Sequence, residues 1–506
     1  MEIWLLLILL GLISYLSYFL LKRSLSKITK TPAWLLWLVM MTPPIIWVSW
    51  TVLFGKEKSM PLPVAIVPFI VCPVVYWWLI QRKRIRPEAN QQIDIDQNSH
   101  IEHNNPEETP TSTPNPQKPP QKLRPITSSE ESALRNCFPW GVYYLQRIDY
   151  RPQAILCLGK LKAVPEVAYN TIKKNVEKVF EDRYLVVFQE SFQGQPFFAL
   201  VPNAWAKSNK IVNEPLARPD IAIALLLLTL LSTTIFGLEF SQTEVTLEQV
   251  VSNPKLLAPG LYYSLGIIAI LGIHELGHYL TAISYRIRAT LPYFIPFPFF
   301  LGTFGAFVQM RSPIPHRKAL FDIAIAGPVA GFLVSLPILI WGLSLSEVVP
   351  IPEDNNLFNF NALDPRFSLL LSLLSKFALG SQLLPNMAID LHPAAIAGYI
   401  GLIFTALNLM PVGQLDGGHI VHAVFGQRSA AIIGQVTLLL TLGLAFVQRD
   451  FFLWAIFLLF MPAAQPALND ITELDNWRDL LGLLALGLLV CILLPLPGTL
   501  AQWLNI

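Results

Sequence analysis

Residues 261–283 read LYYSLGIIAILGIHELGHYLTAI, an apolar run interrupted near its end by His274, Glu275 and His278. A helix of about 20 mostly apolar residues is long enough to cross a bilayer, so the run is expected to span one. On an α-helix four residues advance about 400°, which stacks His274 and His278 on one face with both imidazoles able to reach one metal ion. Glu275 is too close along the backbone to join that set easily but can take a proton from an attacking water, the role of a general base. An acidic side chain near the centre of a spanning helix costs roughly 3 kcal/mol on insertion scales. A glutamate kept there between two imidazoles is read as a working group, in preference to three core side chains satisfied by hydrogen bonds.

The rest of the chain is built for the same surroundings. Of its 506 residues, 53% are hydrophobic and 14% charged, which excludes a disordered protein and points to lipid. The 36 Lys and Arg against 34 Asp and Glu leave no basic surface for nucleic acid. Cys72, Cys137, Cys157 and Cys491 form no CxxC pair, so neither a disulfide framework nor a thiolate metal site is indicated. Further apolar runs at 2–21, 33–54, 61–80, 218–238, 319–342, 394–411, 430–447, 451–467 and 479–497 predict an α-helical polytopic membrane protein. It would have about 8–10 transmembrane helices and a small soluble α+β domain between the third and fourth. The first run lacks a preceding basic stretch and is too long for a signal peptide, so an uncleaved helix without a transit peptide is expected.

Composition shifts divide the chain into five regions. Residues 1–86 are an N-terminal three-helix membrane region, and 87–130 are a disordered polar linker rich in Pro, Gln, Asn, Ser, Thr and Glu. Residues 131–212 alternate like strands at 142–148, 154–159, 184–189 and 196–201, with helical spacing from Val167 to Phe180, and form the soluble α+β domain. Residues 213–427 are the catalytic membrane core and 428–506 the C-terminal transmembrane helices. Lys22, Arg23, Lys27 and Lys30 after the first helix, and Arg82, Lys83, Arg84 and Arg86 after the third, place those ends and the α+β domain in the cytoplasm. In that reducing compartment Cys137 and Cys157 are expected to be buried apolar residues.

Two histidines leave a catalytic zinc site one protein ligand short. The candidate third ligand is Asp416, in NLMPVGQLDGGH at 408–419, where Pro411 breaks the seventh helix and a glycine pair frees the backbone around the carboxylate. An ordinary helix end with a polar turn is the plainer reading of that segment. Topology favours the ligand. The fifth helix runs inward with HELGH in its second half, the sixth returns, and the seventh comes in again and ends at Asp416. All three groups then reach the cytoplasmic side, provided that residues 366–385 form an interfacial or re-entrant helix and do not cross. Pro292, Pro296 and Pro298 with Gly302 and Gly305 are expected to form a re-entrant hairpin over 290–310 or, as an equal alternative, an aromatic loop on the membrane surface. His419 and His422 are expected to be solvated turn residues, and Gly327 and Gly331 to serve tight helix packing.

HELGH at 274–278 together with the NxxPxxxLDG pattern at 408–417 resembles the site-2 proteases, a family of intramembrane zinc metalloproteases. The resemblance covers about 220–450. The region 131–210, containing Phe180-Glu181-Asp182-Arg183-Tyr184-Leu185, further resembles the chloroplast and cyanobacterial class named for ethylene-dependent gravitropism deficiency and yellow-green leaves. That resemblance implies one Zn2+ held by His274, His278 and Asp416, with Glu275 activating water and Asn408 contacting the substrate backbone or the developing oxyanion. It implies hydrolysis of a peptide bond in or near the transmembrane segment of a membrane-protein substrate in the bilayer. The setting would be the inner or thylakoid membrane of a bacterium, cyanobacterial by class, with the active site toward the cytoplasm. A zinc transporter or a catalytically inactive membrane scaffold is the alternative; a transporter would need ligands on several helices and a path to both sides.

Overall fold

A computed structural model describes residues 31–54, 126–203 and 218–506, apart from 152–153, 192–193, 241–251, 298–300, 353–356 and 448–450, together with scattered positions among the first 82. The runs expected at 2–21 and 61–80 and the linker up to residue 125 lie outside the residues described, scattered positions aside. The chain divides into two compact units, one of residues 3–126 and one that holds everything from Thr127 onward. In the first, α1 (Ala33–Phe54) continues through Pro43 and Pro44.

The second unit opens on α2 (Ser128–Asn136), started by a capping box in which Thr127 and Glu130 bond reciprocally. The last three residues assigned to the linker are thus its first turn. An antiparallel sheet follows, built from β1 (Tyr143–Arg151), β2 (Ala154–Leu161), β3 (Tyr184–Glu190) and β4 (Pro196–Pro202) in the order β1-β2-β4-β3. Between β2 and β3, helix α3 (Pro165–Phe180) buries Ala168, Ile172 and Val176 and leaves its lysines outward. Cys157 is fully buried in this layer and Cys137 nearly so, and both are free thiols. Burial raises the Cys137 thiol and pushes Cys157 up to about 12.

From residue 218 the chain is long apolar helices: α4 (Pro219–Gly237), α5 (Ala258–Ser284) and, after a hairpin of β5 (Tyr293–Pro296) and β6 (Thr303–Phe307), α6 (Arg317–Ser344). A second hairpin of β7 (Glu347–Pro350) and β8 (Met387–Asp390) encloses α7 (Leu369–Leu379). Eleven residues make α7 about 16 Å long, half a bilayer core, so it cannot cross. Helix α8 (Pro393–Leu409) begins on Pro393, α9 (Asp416–Val447) breaks at Gly426, and α10 (Phe452–Leu459), α11 (Asn476–Leu493) and α12 (Gly498–Leu504) complete the chain.

Six helices among the described residues are long and apolar enough to cross a membrane. Helices α5, α6 and α8 share one core that includes Tyr263, Ile267, Leu339, Leu343, Ala395 and Ile400. Away from it, Leu227, Leu265, Leu280, Leu333 and Leu439 stand more than half exposed. Apolar side chains in that position satisfy a helix whose solvent is lipid.

The run expected to be one helix over 451–467 is different. Only α10 is helical there, and its eight residues reach about 12 Å. Pro462 and Pro466 lack the N–H a continued helix would use, so residues 461–467 are non-helical. In the native protein, maleimide labelling followed by peptide mapping should leave Cys137 and Cys157 unmodified until denaturant is added. Rapid native labelling of either would contradict the packing of α3 on the sheet.

Candidate metal centre

The polar turn of α5 lies in its C-terminal half, where α6 crosses it closely. That approach depends on glycine. A Cβ on Gly327 would lie 2.1 Å from Nε2 of His278, and one on Gly331 would lie 3.1 Å from Cβ and Nδ1 of His274. The small residues expected to serve helix packing therefore also make the space in which both imidazoles sit. His278 and His274 are nearly fully buried, at 8% and 6% exposure.

Nδ1 of His278 lies 2.7 Å from the carbonyl oxygen of Ile323, which lies just ahead of Pro328 in α6. A carbonyl can only accept, so Nδ1 carries the proton and Nε2 presents a lone pair. That lone pair faces Nε2 of His274 at 3.1 Å. Oδ2 of Asp416 completes the group, 3.4 Å from Nε2 of His274 and 3.3 Å from Nε2 of His278.

Asp416 is placed differently from the sequence reading. It does not close the seventh helix. Helix α8 stops at Leu409 ahead of Pro411, and Asp416 is the first residue of α9. A carboxylate at a helix N-terminus gains about 1 kcal/mol from the exposed amides. Taking it out of water costs several, so the helix end alone does not hold it there. Three ligand atoms within 4.8 Å of one another supply what a cation needs. A tetrahedral zinc ion with bonds of about 2.0–2.1 Å separates its ligands by about 3.3 Å, the spacing found among these three atoms. The donor set, two imidazoles and one carboxylate, fits a catalytic zinc site.

Glu275 stands outside that donor group, next in sequence to His274, and β6 packs on the helix that carries it. The hairpin predicted over 290–310 is antiparallel, with Tyr293 opposite Phe307, and Leu301 and Gly302 both take positive φ at its tip. Tyr263 of α5 donates to the Leu301 carbonyl at 2.8 Å and Ser232 of α4 to that of Gly302 at 2.7 Å, tying the hairpin to two helices. Asn408, in the last turn of α8, brings its amide nitrogen to 3.2 Å from Nε2 of His274.

The two histidines after Asp416 are not solvated turn residues. Both lie on α9. His422 is 2% exposed and bonded to Asp470, while Nδ1 of His419 is buried without a partner among the described residues. The sequence hid this because their helix follows at once on the Gly-Gly pair, which reads as a turn.

Residues 262–447 match the profile described as Peptidase family M50. The chain is 32% identical over 373 residues to the probable zinc metalloprotease EGY1, chloroplastic, of Arabidopsis thaliana, covering 69% of this chain and 67% of that protein. It is 30% identical over 416 residues to the protein of the same name from Oryza sativa subsp. japonica, covering 75% and 70%. It is also 30% identical over 368 residues to the probable zinc metalloprotease EGY2, chloroplastic, of Arabidopsis thaliana, covering 71% and 63%.

Replacing Gly327 by alanine should displace the His278 ring and lower zinc content in elemental analysis of the purified protein to a small fraction of wild type. Gly331→Ala, whose added methyl meets softer contact, should lose less. Equal, full zinc content in both would break the link between the glycines and the site.

Proposed function

This chain belongs to peptidase family M50, the site-2 proteases, and is a zinc metalloprotease of the membrane; from that membership we propose which residues do the work and on which side. His274, His278 and Asp416 hold the zinc, Glu275 is the general base, and Asn408 contacts the substrate backbone or the developing oxyanion. The observation that carries this reading is the meeting of two buried imidazoles from α5 and the half-buried carboxylate of α9, with Glu275 beside His274 but outside the set. When bound, zinc supplies a Lewis acid that polarises the scissile carbonyl and acidifies water.

The chain's own groups do the rest. Glu275 accepts the proton of the attacking water and returns it to the leaving amine. The substrate is the transmembrane segment of a membrane protein. Its peptide bonds are shielded by helical hydrogen bonds, so the segment must unwind and be held extended. The β5–β6 hairpin, whose second strand packs on α5, offers strand edges to which an extended segment can add.

The site faces the cytoplasm. Arg286, Arg288, Arg311 and Lys318 gather at the end of α5 and the start of α6, the end nearer the donor group. At the other end Tyr262 and Trp341 pack with ring centroids 5.9 Å apart, as aromatic residues do at an interface. The brevity of α7 keeps the count of crossings between α6 and α8 consistent with that assignment. We assign the sheet and helices of 128–202 as the soluble cytoplasmic α+β domain between the three-helix region and the core, and the membrane as the inner or thylakoid membrane of a bacterium, cyanobacterial by class. Against a zinc transporter stands the single metal-ligating group found among the described residues. A scaffold would have no use for Glu275 at that group.

Glu275→Gln should keep its zinc and cleave a membrane-embedded reporter about 100-fold more slowly or worse. Retained cleavage in that variant would remove Glu275 from the base role. A cysteine introduced as Asn361→Cys should react with an impermeant maleimide from the non-cytoplasmic face alone, and labelling from the cytoplasm would overturn the topology.

A further inference from the structure

Asp416 stands on a short piece of helix, residues 416–425, that ends where Gly426 takes φ 79°. The far end of this piece is capped by Arg317 of α6, whose Nε donates to the Ala423 carbonyl at 3.0 Å. Between the two ends, Nε2 of His422 lies 2.9 and 3.0 Å from the two carboxylate oxygens of Asp470. His422 and Asp470 are 2% and 7% exposed. Six residues separate His422 from Asp416, about 9 Å along a helix axis, so the pair acts on the ligand only through the rod they share.

Asp470 belongs to no helix, and its position is set by its backbone. On one side Leu468 and Asn469 donate to the carbonyls of Ile314 and Pro315 at 2.9 and 3.0 Å, just before α6. On the other side the edge strand of the α+β sheet supplies the bonds. Phe188 of β3 donates to the Leu468 carbonyl at 2.7 Å, and Asp470 donates to the Phe188 carbonyl at 2.9 Å. Asn469 thus bridges Phe188 at the sheet edge on one side and His316, ahead of α6, on the other. Arg428, two residues past the break in α9, also reaches across, its Nη2 donating to the Ser191 carbonyl at 2.6 Å.

We propose that Asp470 and His422 are positioning residues for Asp416, through which docking of the α+β sheet on the membrane unit sets the geometry of the metal centre. A buried carboxylate without its partner is costly, so Asp470 and His422 keep one mutual arrangement. The amide of that same Asp470 is held by Phe188 of the sheet. Loosening the sheet frees residues 468–470, releases His422, and lets the rod bearing Asp416 shift against α5. Metal sites lose about 10- to 100-fold in affinity when such supporting groups are removed. The proposal rests on Asp416 being a zinc ligand.

The test uses the full-length protein in lipid nanodiscs and reads zinc affinity by chelator competition, the thermal midpoint of the metal-free protein, and hydrogen exchange over 416–425 and 468–470. Asp470→Asn, nearly isosteric, and His422→Asn should each weaken zinc binding about tenfold or more. The double variant should lose no more than the worse single one, and the metal-free midpoint should move far less than affinity does. Arg428→Ala, outside the buried pair, should speed exchange at 468–470 and weaken zinc binding several-fold. Zinc affinity within twofold of wild type in both single variants, strictly additive losses in the double one, or faster exchange in Arg428→Ala with unchanged affinity would each overturn the proposal. Asp416→Ala separates the two readings. Unchanged affinity there defeats the metal assignment itself, whereas a loss there beside wild-type affinity in Asp470→Asn defeats the positioning role alone.

Discussion

Two imidazole nitrogens and a carboxylate oxygen, held 3.1–3.4 Å apart, need a shared proton or a cation among them. Much of the surrounding structure is arranged to enforce that closeness. Gly327 and Gly331 let α6 lie against the imidazole face of α5, and the Ile323 carbonyl fixes the proton of His278 on the nitrogen turned away from the centre. A one-carbon side chain at Gly327 would occupy the place of a ligand atom. The affinity for metal is thus built from steric room as much as from the donors themselves.

Low dielectric surroundings give this arrangement its force. Charges in lipid or protein interior attract and repel far more strongly than in water, so a carboxylate there must be neutralised or paired. Asp416 has a helix N-terminus worth about 1 kcal/mol, which is small beside the cost of its burial. The cation carries the balance. The same reasoning applies to Asp470, buried and paired with His422, while the half-buried Arg478 bonds Asp322 at 2.6 Å. Charge is matched at each place, and at each place it ties together segments distant in sequence.

The β5–β6 hairpin shows how function enters a helical membrane unit. Backbone that is neither helical nor paired is excluded from lipid. Here a strand pair sits against α4 and α5, anchored by Tyr263 and Ser232. Pro292, Pro296 and Pro298 prevent a helix in this stretch, while Leu301 and Gly302 at positive φ turn it back.

How much of this the sequence carried is a matter of range. Helical stacking of His274 and His278, the adjacency of Glu275, the apolar spans and the prolines of 290–310 follow from local rules of period, length and backbone freedom, and a chain obeys those rules wherever it is placed. Sequence pattern also pointed to Asp416 but misjudged its element, because helix initiation on a carboxylate after Gly413 and Pro411 looks, residue by residue, like a helix ending. The burial of His422, the bridging of Asn469 to the sheet edge and the reach of Arg317 to Ala423 were decided by tertiary structure alone. Each depends on which surface arrives opposite a residue more than 40 positions away, and no local property of the chain encodes that arrival.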